Sequence, residues 1–124
     1  SVDDAMIQTA ITRGAEVDGG SCGFWGVCGA ATGVGIAVSV LLQATPIKAA
    51  ARQKAQQAVH QVLGEISSHT AARCCQRDCY IALRTGLTLM SAMVGLQVPS
   101  PEPFRCTQIA RNKECLGSSC PLWP

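Results

Sequence analysis

Two cysteines six positions apart, Cys22 and Cys28, lie in the glycine-rich run Gly19-Gly20-Ser21-Cys22-Gly23-Phe24-Trp25-Gly26-Val27-Cys28-Gly29. Glycine admits positive φ and lets the backbone come close to a ligand. An apolar segment follows. A helix beginning near Ala30 would aim free N–H groups and the positive end of its dipole at whatever sits beside Cys28. That environment favours thiolate, the form of cysteine that binds metal or attacks an electrophile. Residues 19–35 therefore read as the centre of a cysteine-built site. Gly23, Gly26 and Gly29 offer backbone N–H groups to whatever is bound there.

Six further cysteines, at positions 74, 75, 79, 106, 115 and 120, bring the count to eight in 124 residues. An even count in a short chain first raises a disulfide framework, as in a secreted stapled domain. Three features argue against it. No signal-peptide pattern is visible, the central segment is well supplied with core residues, and Cys74 and Cys75 cannot readily pair with each other. A reduced metal site, in a cytoplasmic setting, is the preferred reading. Zinc usually takes close pairs such as C-x2-C, whereas the spacings here are C-x5-C, CC, C-x3-C and C-x4-C. A [4Fe–4S] cluster accepts thiolates from separate loops, and Cys120-Pro121 matches the Cys-Pro of ferredoxin-type runs. Iron–sulfur is therefore the expected cofactor, with zinc as the alternative. Cys74 and Cys75 are the candidate catalytic thiols, as nucleophile or resolving thiol. Arg73 and Arg77, with Arg111 and Lys113, flank the cysteines and could orient a small anionic substrate.

The elements that must position these residues are helical. Hydrophobic residues make up 48% of the chain and aromatics 4%, so the core is expected to be built from Ala, Val, Leu, Ile and Met. A net charge of +2 excludes the strongly basic face of a nucleic-acid binder. Residues 1–69 carry four Lys/Arg against five Asp/Glu, and residues 70–124 carry six against three. The cationic surplus thus accompanies the later cysteines. Residues 2–13 predict a short helix capped by Ser1 and ended by Gly14. Val27–Leu42 predicts a buried central helix, too short and glycine-rich for a membrane span. Thr45-Pro46 reads as a cap and first helical position for an amphipathic helix reaching Ser67, with Ile47 on its apolar side. His60 lies beside that stripe as a packed or rim residue, and His69 reads as a partner of the helix C-terminus rather than a ligand. A last helix, Cys74–Val94, carries its stripe on Tyr80, Leu83, Leu87, Met90 and Val94, widened by Ile81, Leu89 and Met93. Beyond Gly95, prolines including Pro99, Pro101 and Pro103 punctuate an irregular tail holding Cys106, Cys115 and Cys120. The expectation is one all-α domain, 1–124, of about four helices (1–95), its tail (96–124) folded back onto the Cys22–Cys28 loop.

Gly20 to Gly29, Ala44-Thr45-Pro46, Arg73-Cys74-Cys75-Gln76-Arg77-Asp78, Asn112-Lys113-Glu114-Cys115 and Cys120-Pro121 together resemble an uncharacterised cysteine-rich prokaryotic family. Its members occur alone or fused to S-adenosylmethionine-dependent methyltransferases and are frequent in anaerobes. The resemblance covers about residues 19–122 and implies an oxygen-sensitive, intracellular setting. It makes Cys22, Cys28, Cys74, Cys75, Cys106, Cys115 and Cys120 shared positions, whereas Cys79 stands where small hydroxyl residues are common. With the spacing, it gives Cys22, Cys28, Cys75, Cys106, Cys115 and Cys120 as the expected metal ligands. The family carries no established activity. The functional expectation is an iron–sulfur module for redox, desulfuration or group transfer on a small anionic substrate. The alternative is a non-catalytic iron–sulfur or zinc module for electron transfer, sensing, or docking to a methyltransferase or redox partner. In either case Phe24 and Trp25 are expected as a hydrophobic lid or core plug.

Overall fold

The computed structural model describes every residue except Ser1, Ser100, Pro101, Pro103 and Phe104. The described residues form five α-helices and no strand: α1 (Asp4–Ala15), α2 (Ser21–Phe24), α3 (Gly29–Leu42), α4 (Ala49–Ser67) and α5 (Cys75–Val94). The protein is all-α, as its composition and periodicity predict. The four expected helices are α1, α3, α4 and α5; the single turn α2 is an addition. It arises because Gly20, at φ 84°, turns the chain into a loop that Ser21 then closes. Ser21 Oγ donates to the Val27 carbonyl at 2.8 Å, while the Ser21 carbonyl accepts from Trp25 N at 2.9 Å and Val27 N at 3.3 Å.

The helix ends shift from their expected places for local reasons. The expected cap Ser1 lies outside the described residues, and Asp3 caps α1, its carboxylate accepting from Met6 N at 2.9 Å. Gly14 does not stop this helix, which continues to Ala15. Thr45-Pro46 forms a turn instead of a first helical residue. Lys48 N bonds back to the Thr45 carbonyl at 3.1 Å, α4 begins at Ala49, and Ile47 is left 92% exposed.

Helix α3 is central and packs against α1, α4 and α5. Ala31, Gly35 and Val38 of α3, Ala58, Val62 and Ile66 of α4, and Ile81, Ala82 and Leu89 of α5 are buried. In α3 and α4 these positions recur three or four apart, and in α5 the adjacent Ile81 and Ala82 are followed two turns on by Leu89, which puts them on one side of each helix. Small residues set the distances: a Cβ on Gly35 would run into the Val59 side chain, and one on Gly86 would meet Val34 Cγ2 at 3.2 Å. For this reason the buried stripe of α5 is rotated from the expected one. Ala82 and Gly86 face inward, where they allow close approach to α3, and Leu83 is 58% exposed.

The tail has little core of its own. Its regular structure among the described residues is two single 3-10 turns, Ile109–Arg111 and Gly117–Ser119, and Leu122 is its one buried hydrophobic residue. Backbone pairing of Cys106 N with the Leu122 carbonyl, at 3.2 Å, ties the Cys106 stretch to the C-terminal end of the tail. Among the described residues the expected docking onto the Cys22–Cys28 loop is not seen, since no tail residue joins Cys22 and Cys28 in the cavity they line. The tail closes on the start of α5, where the Cys106 thiol donates to Gln76 Oε1 at 3.4 Å. Pro101 and Pro103, expected to punctuate this tail, lie outside the described residues. Among the described residues no helix is long and apolar enough to cross a membrane.

Candidate functional site

The first residues of α5 divide the cysteines into two groups. Cys74 is the extended N-cap of α5 (φ −141°, ψ 98°) and Cys75 its first helical residue, so their side chains leave the backbone in different directions. Cys75 lines a cavity of about 300 Å3 together with Cys22, Cys28 and Cys79. Cys74 lines a separate cavity of about 20 Å3 together with Cys106, Cys115 and Cys120. None of the eight cysteines is in a disulfide.

The larger cavity lies where the N-termini of α3 and α5 converge. Its walls also include Asp18, Gly19, Gly20, Gly29, Arg73 and Asp78. Burial pushes the Cys28 thiol above its ordinary value; the N–H groups of Ala30 and Ala31 pull it back in part, and Asp78 and Cys22 raise it further. Cys28 makes no capping hydrogen bond to those N–H groups, so they act as nearby dipoles. The thiol instead points its proton at Asp78 Oδ2, 3.9 Å away. Cys79 is also pushed up, first by burial, then by the neighbouring Cys75, Cys28 and Asp78. These mutual effects place the thiols within electrostatic reach of one another. A positive ion bound among them would reverse the balance and draw off their protons.

Asp78 is held by Arg77, whose Nε donates to Asp78 Oδ1 at 3.3 Å and whose Nη2 donates to the Ala72 carbonyl at 3.2 Å. Both members of this pair are buried. Like the two cysteines before them they part company: Arg77 lines the small cavity and Asp78 the large one.

In the small cavity each of the three tail sulfurs accepts a backbone N–H from two residues ahead. Gln108 N donates to Cys106 Sγ at 3.3 Å, Gly117 N to Cys115 Sγ at 3.3 Å, and Leu122 N to Cys120 Sγ at 3.4 Å. Gly117 takes φ 63°, the left-handed region in which a side chain is strained. The Asn112 carboxamide oxygen accepts from Glu114 N at 3.0 Å, and the Asn112 carbonyl accepts from Cys115 N at 3.3 Å. The Asn112-Lys113-Glu114-Cys115 motif is thus a turn that delivers Cys115. Among the described residues no three His, Cys, Asp or Glu side chains are already drawn tightly enough to hold an ion as they stand. The grouping rests on the shared cavity walls and on the N–H···S contacts.

Measured against the sequence, Cys22, Cys28, Cys75, Arg73 and Gly29 come together, while Cys106, Cys115, Cys120, Cys74 and Arg77 form the second group. Gly23 and Gly26 are exposed and line neither cavity; Gly23 N is used inside its own turn, on the Gly20 carbonyl at 3.2 Å. Gly19 and Gly20, within the 19–35 stretch, and Cys79, set apart from the shared cysteines, are also in the large cavity, as are Asp18 and Asp78, for which no site role was expected. For Cys79 and Asp78 the helical spacing from Cys75 was the available signal. His60 is exposed, His69 is half-buried, and neither lines a cysteine cavity. Phe24 and Trp25 are 88% and 76% exposed, so they plug no core.

Fold and site together define a cysteine-rich all-α domain with its thiols in two groups about the start of one helix. The chain belongs to the family of unknown function DUF5714, whose model matches residues 1–123. No curated protein and no solved structure shows significant similarity to it.

Proposed function

We propose that this protein is an iron–sulfur module whose cluster, of the [4Fe–4S] type, occupies the larger cavity. Four thiols lining one open cavity of about 300 Å3 at two converging helix N-termini are the observation that carries this reading. Cys22, Cys28 and Cys75 are the ligands. Cys79 stands one turn along α5, also borders an apolar groove between α3 and α5, and remains a thiol. Three-cysteine ligation leaves one iron open as a Lewis acid for an anionic substrate, which Arg73 on the cavity wall orients. Redox, desulfuration or group-transfer chemistry on a small anion follows from that arrangement. A reducing, cytoplasmic compartment suits it.

The exposed rings of Phe24 and Trp25, on the loop that carries Cys22 and Cys28, favour a second reading. There the cluster passes electrons to a redox or methyltransferase partner docked on those rings, and no substrate enters. Anaerobic purification with iron, acid-labile sulfide and absorption measured on one sample tests both readings. About four iron and four sulfide per chain, with a broad visible band, is the expected result. The band should shift on adding a small anion if the iron is open, and stay fixed if a fourth ligand closes it. Iron-free protein after anaerobic purification and reconstitution would overturn both readings.

A further inference from the structure

We infer that Cys74, Cys106, Cys115 and Cys120 form a second, independent metal site, a tetrathiolate for one zinc ion that fastens the tail to the start of α5. Three observations converge on it. The first is the partition itself. The four cysteines line one cavity of about 20 Å3, room for an ion and far too little for a cluster, and none of them lines the larger cavity. The second is the repeated N–H···S contact, made at Cys106, Cys115 and Cys120 from three different turns. A neutral thiol is a weak acceptor that does not call for such provision. A metal-bound thiolate does, because N–H donors disperse its charge and fix its direction.

The third observation is mechanical. Among its described residues the tail has two single 3-10 turns and one buried hydrophobic residue, little apolar contact to hold an irregular segment in one conformation. A tetrahedral ion supplies that hold by joining positions 106, 115 and 120 to position 74 across more than thirty residues of chain. The local charge is also suited to it. Four thiolates around a divalent ion leave a net charge of −2, and the buried guanidinium of Arg77 stands in the same cavity wall. Binding releases the thiol protons and transfers no electrons. The spacing hides this site from a search for zinc pairs: Cys115 and Cys120 are C-x4-C, and the fourth ligand comes from the cap of a distant helix. The inference stands apart from the iron–sulfur reading of the larger cavity and does not need it.

The test uses the full chain and zinc. Metal is removed under reducing conditions, one equivalent of Zn2+ is added back, and thiols are alkylated and mapped by peptide mass spectrometry. Zinc should slow labelling at Cys74, Cys106, Cys115 and Cys120 at least tenfold and leave Cys79 labelled as before. Cobalt(II) in place of zinc should give the d–d bands of a tetrahedral thiolate complex. A Cys22→Ser/Cys28→Ser/Cys75→Ser chain, which cannot build the proposed cluster site, should still bind one zinc and one cobalt. Equal labelling of the four cysteines with and without zinc would overturn the inference. So would acid-labile sulfide that disappears in Cys115→Ser but persists in Cys28→Ser.

Discussion

Cys74 and Cys75 are joined by one peptide bond and open into different cavities. The division is made by the helix start: residue 74 is still extended and residue 75 is already helical. Arg77 and Asp78 repeat it one turn later, with the cation on the side of Cys74 and the carboxylate on the side of Cys75. The Cys74-Cys75-Gln76-Arg77-Asp78 segment is therefore a partition wall between two thiol groups, and its charges are part of the wall.

That wall depends on its buried ion pair. Arg77→Gln leaves the Asp78 carboxylate buried beside Cys28 with no cation to meet it. Removing one member of a buried pair typically costs about 3 kcal/mol or more. Urea denaturation should show a loss of that order. Arg84→Gln, which removes an exposed guanidinium lying 5.3 Å from the Tyr80 ring centroid, should cost about 1 kcal/mol or less. Similar losses in the two variants would show that the Arg77–Asp78 pair is not a special support.

The pH dependence of stability should differ between stripped and zinc-loaded protein. In protein stripped of metal, Cys28 and Cys79 titrate above the ordinary thiol value, Cys28 and Cys79 alike chiefly through burial. A folded-state pKa raised above the unfolded value of about 8.5 stabilises fully below that value. The contribution fades as pH rises through the folded pKa, because the unfolded chain releases its protons first. The stripped protein should therefore lose urea resistance from about pH 8.5 upward. Protein reconstituted with zinc should gain resistance as pH rises from acid toward neutrality, since binding requires thiolates. Parallel profiles for the two preparations would contradict this account.

Packing of α3 on α4 sets a third expectation. Gly35 faces α4 so closely that a Cβ would overlap the Val59 side chain and come within 3.3 Å of the Ala55 carbonyl. Gly35→Ala should destabilise by about 1–3 kcal/mol, as overpacking of a tight interface does. Gly64 is also inside a helix, but a Cβ there meets nothing within 4 Å and its φ is ordinary. Gly64→Ala should stabilise by about 0.5–1 kcal/mol. The pair of variants, compared by denaturant midpoint, separates close approach from helix propensity.

The helices were legible because periodicity and helix length are local properties. α3, α4 and α5 each carry enough apolar residues at helical spacing to declare themselves, and α1 does so more weakly. Which face of α5 turns inward was not legible from bulk hydrophobicity, because Ala82 and Gly86 win the inner face by being small enough to meet α3. At the site, residue types point to cysteine chemistry, and the glycine-rich loop with Cys22 and Cys28 stands out in the sequence. The partner of each cysteine does not. Assignment of Cys74 to the tail and Cys75 to the loop turns on one backbone ψ at a helix cap, which no spacing rule encodes. Likewise, nothing in the tail's own sequence names the surface it meets, so its docking on the start of α5 was not legible.

Cys79 provides the sharpest distinction within the larger cavity. It shares the walls with Cys22, Cys28 and Cys75, and its i, i+4 relation to Cys75 puts both on one side of α5. Yet burial and the neighbouring thiols and Asp78 hold it protonated, and unlike Cys28 it has no backbone N–H groups acting to lower it. If it is a spare thiol, Cys79→Ser should keep full iron and sulfide content, whereas Cys28→Ser and Cys75→Ser should lose them. In cluster-loaded wild type, Cys79 should be alkylated slowly near neutral pH and faster as pH rises past the ordinary thiol range, with the visible band unchanged throughout. Loss of the cluster in Cys79→Ser would make it the fourth ligand, close the open iron, and move the balance from substrate chemistry to electron transfer.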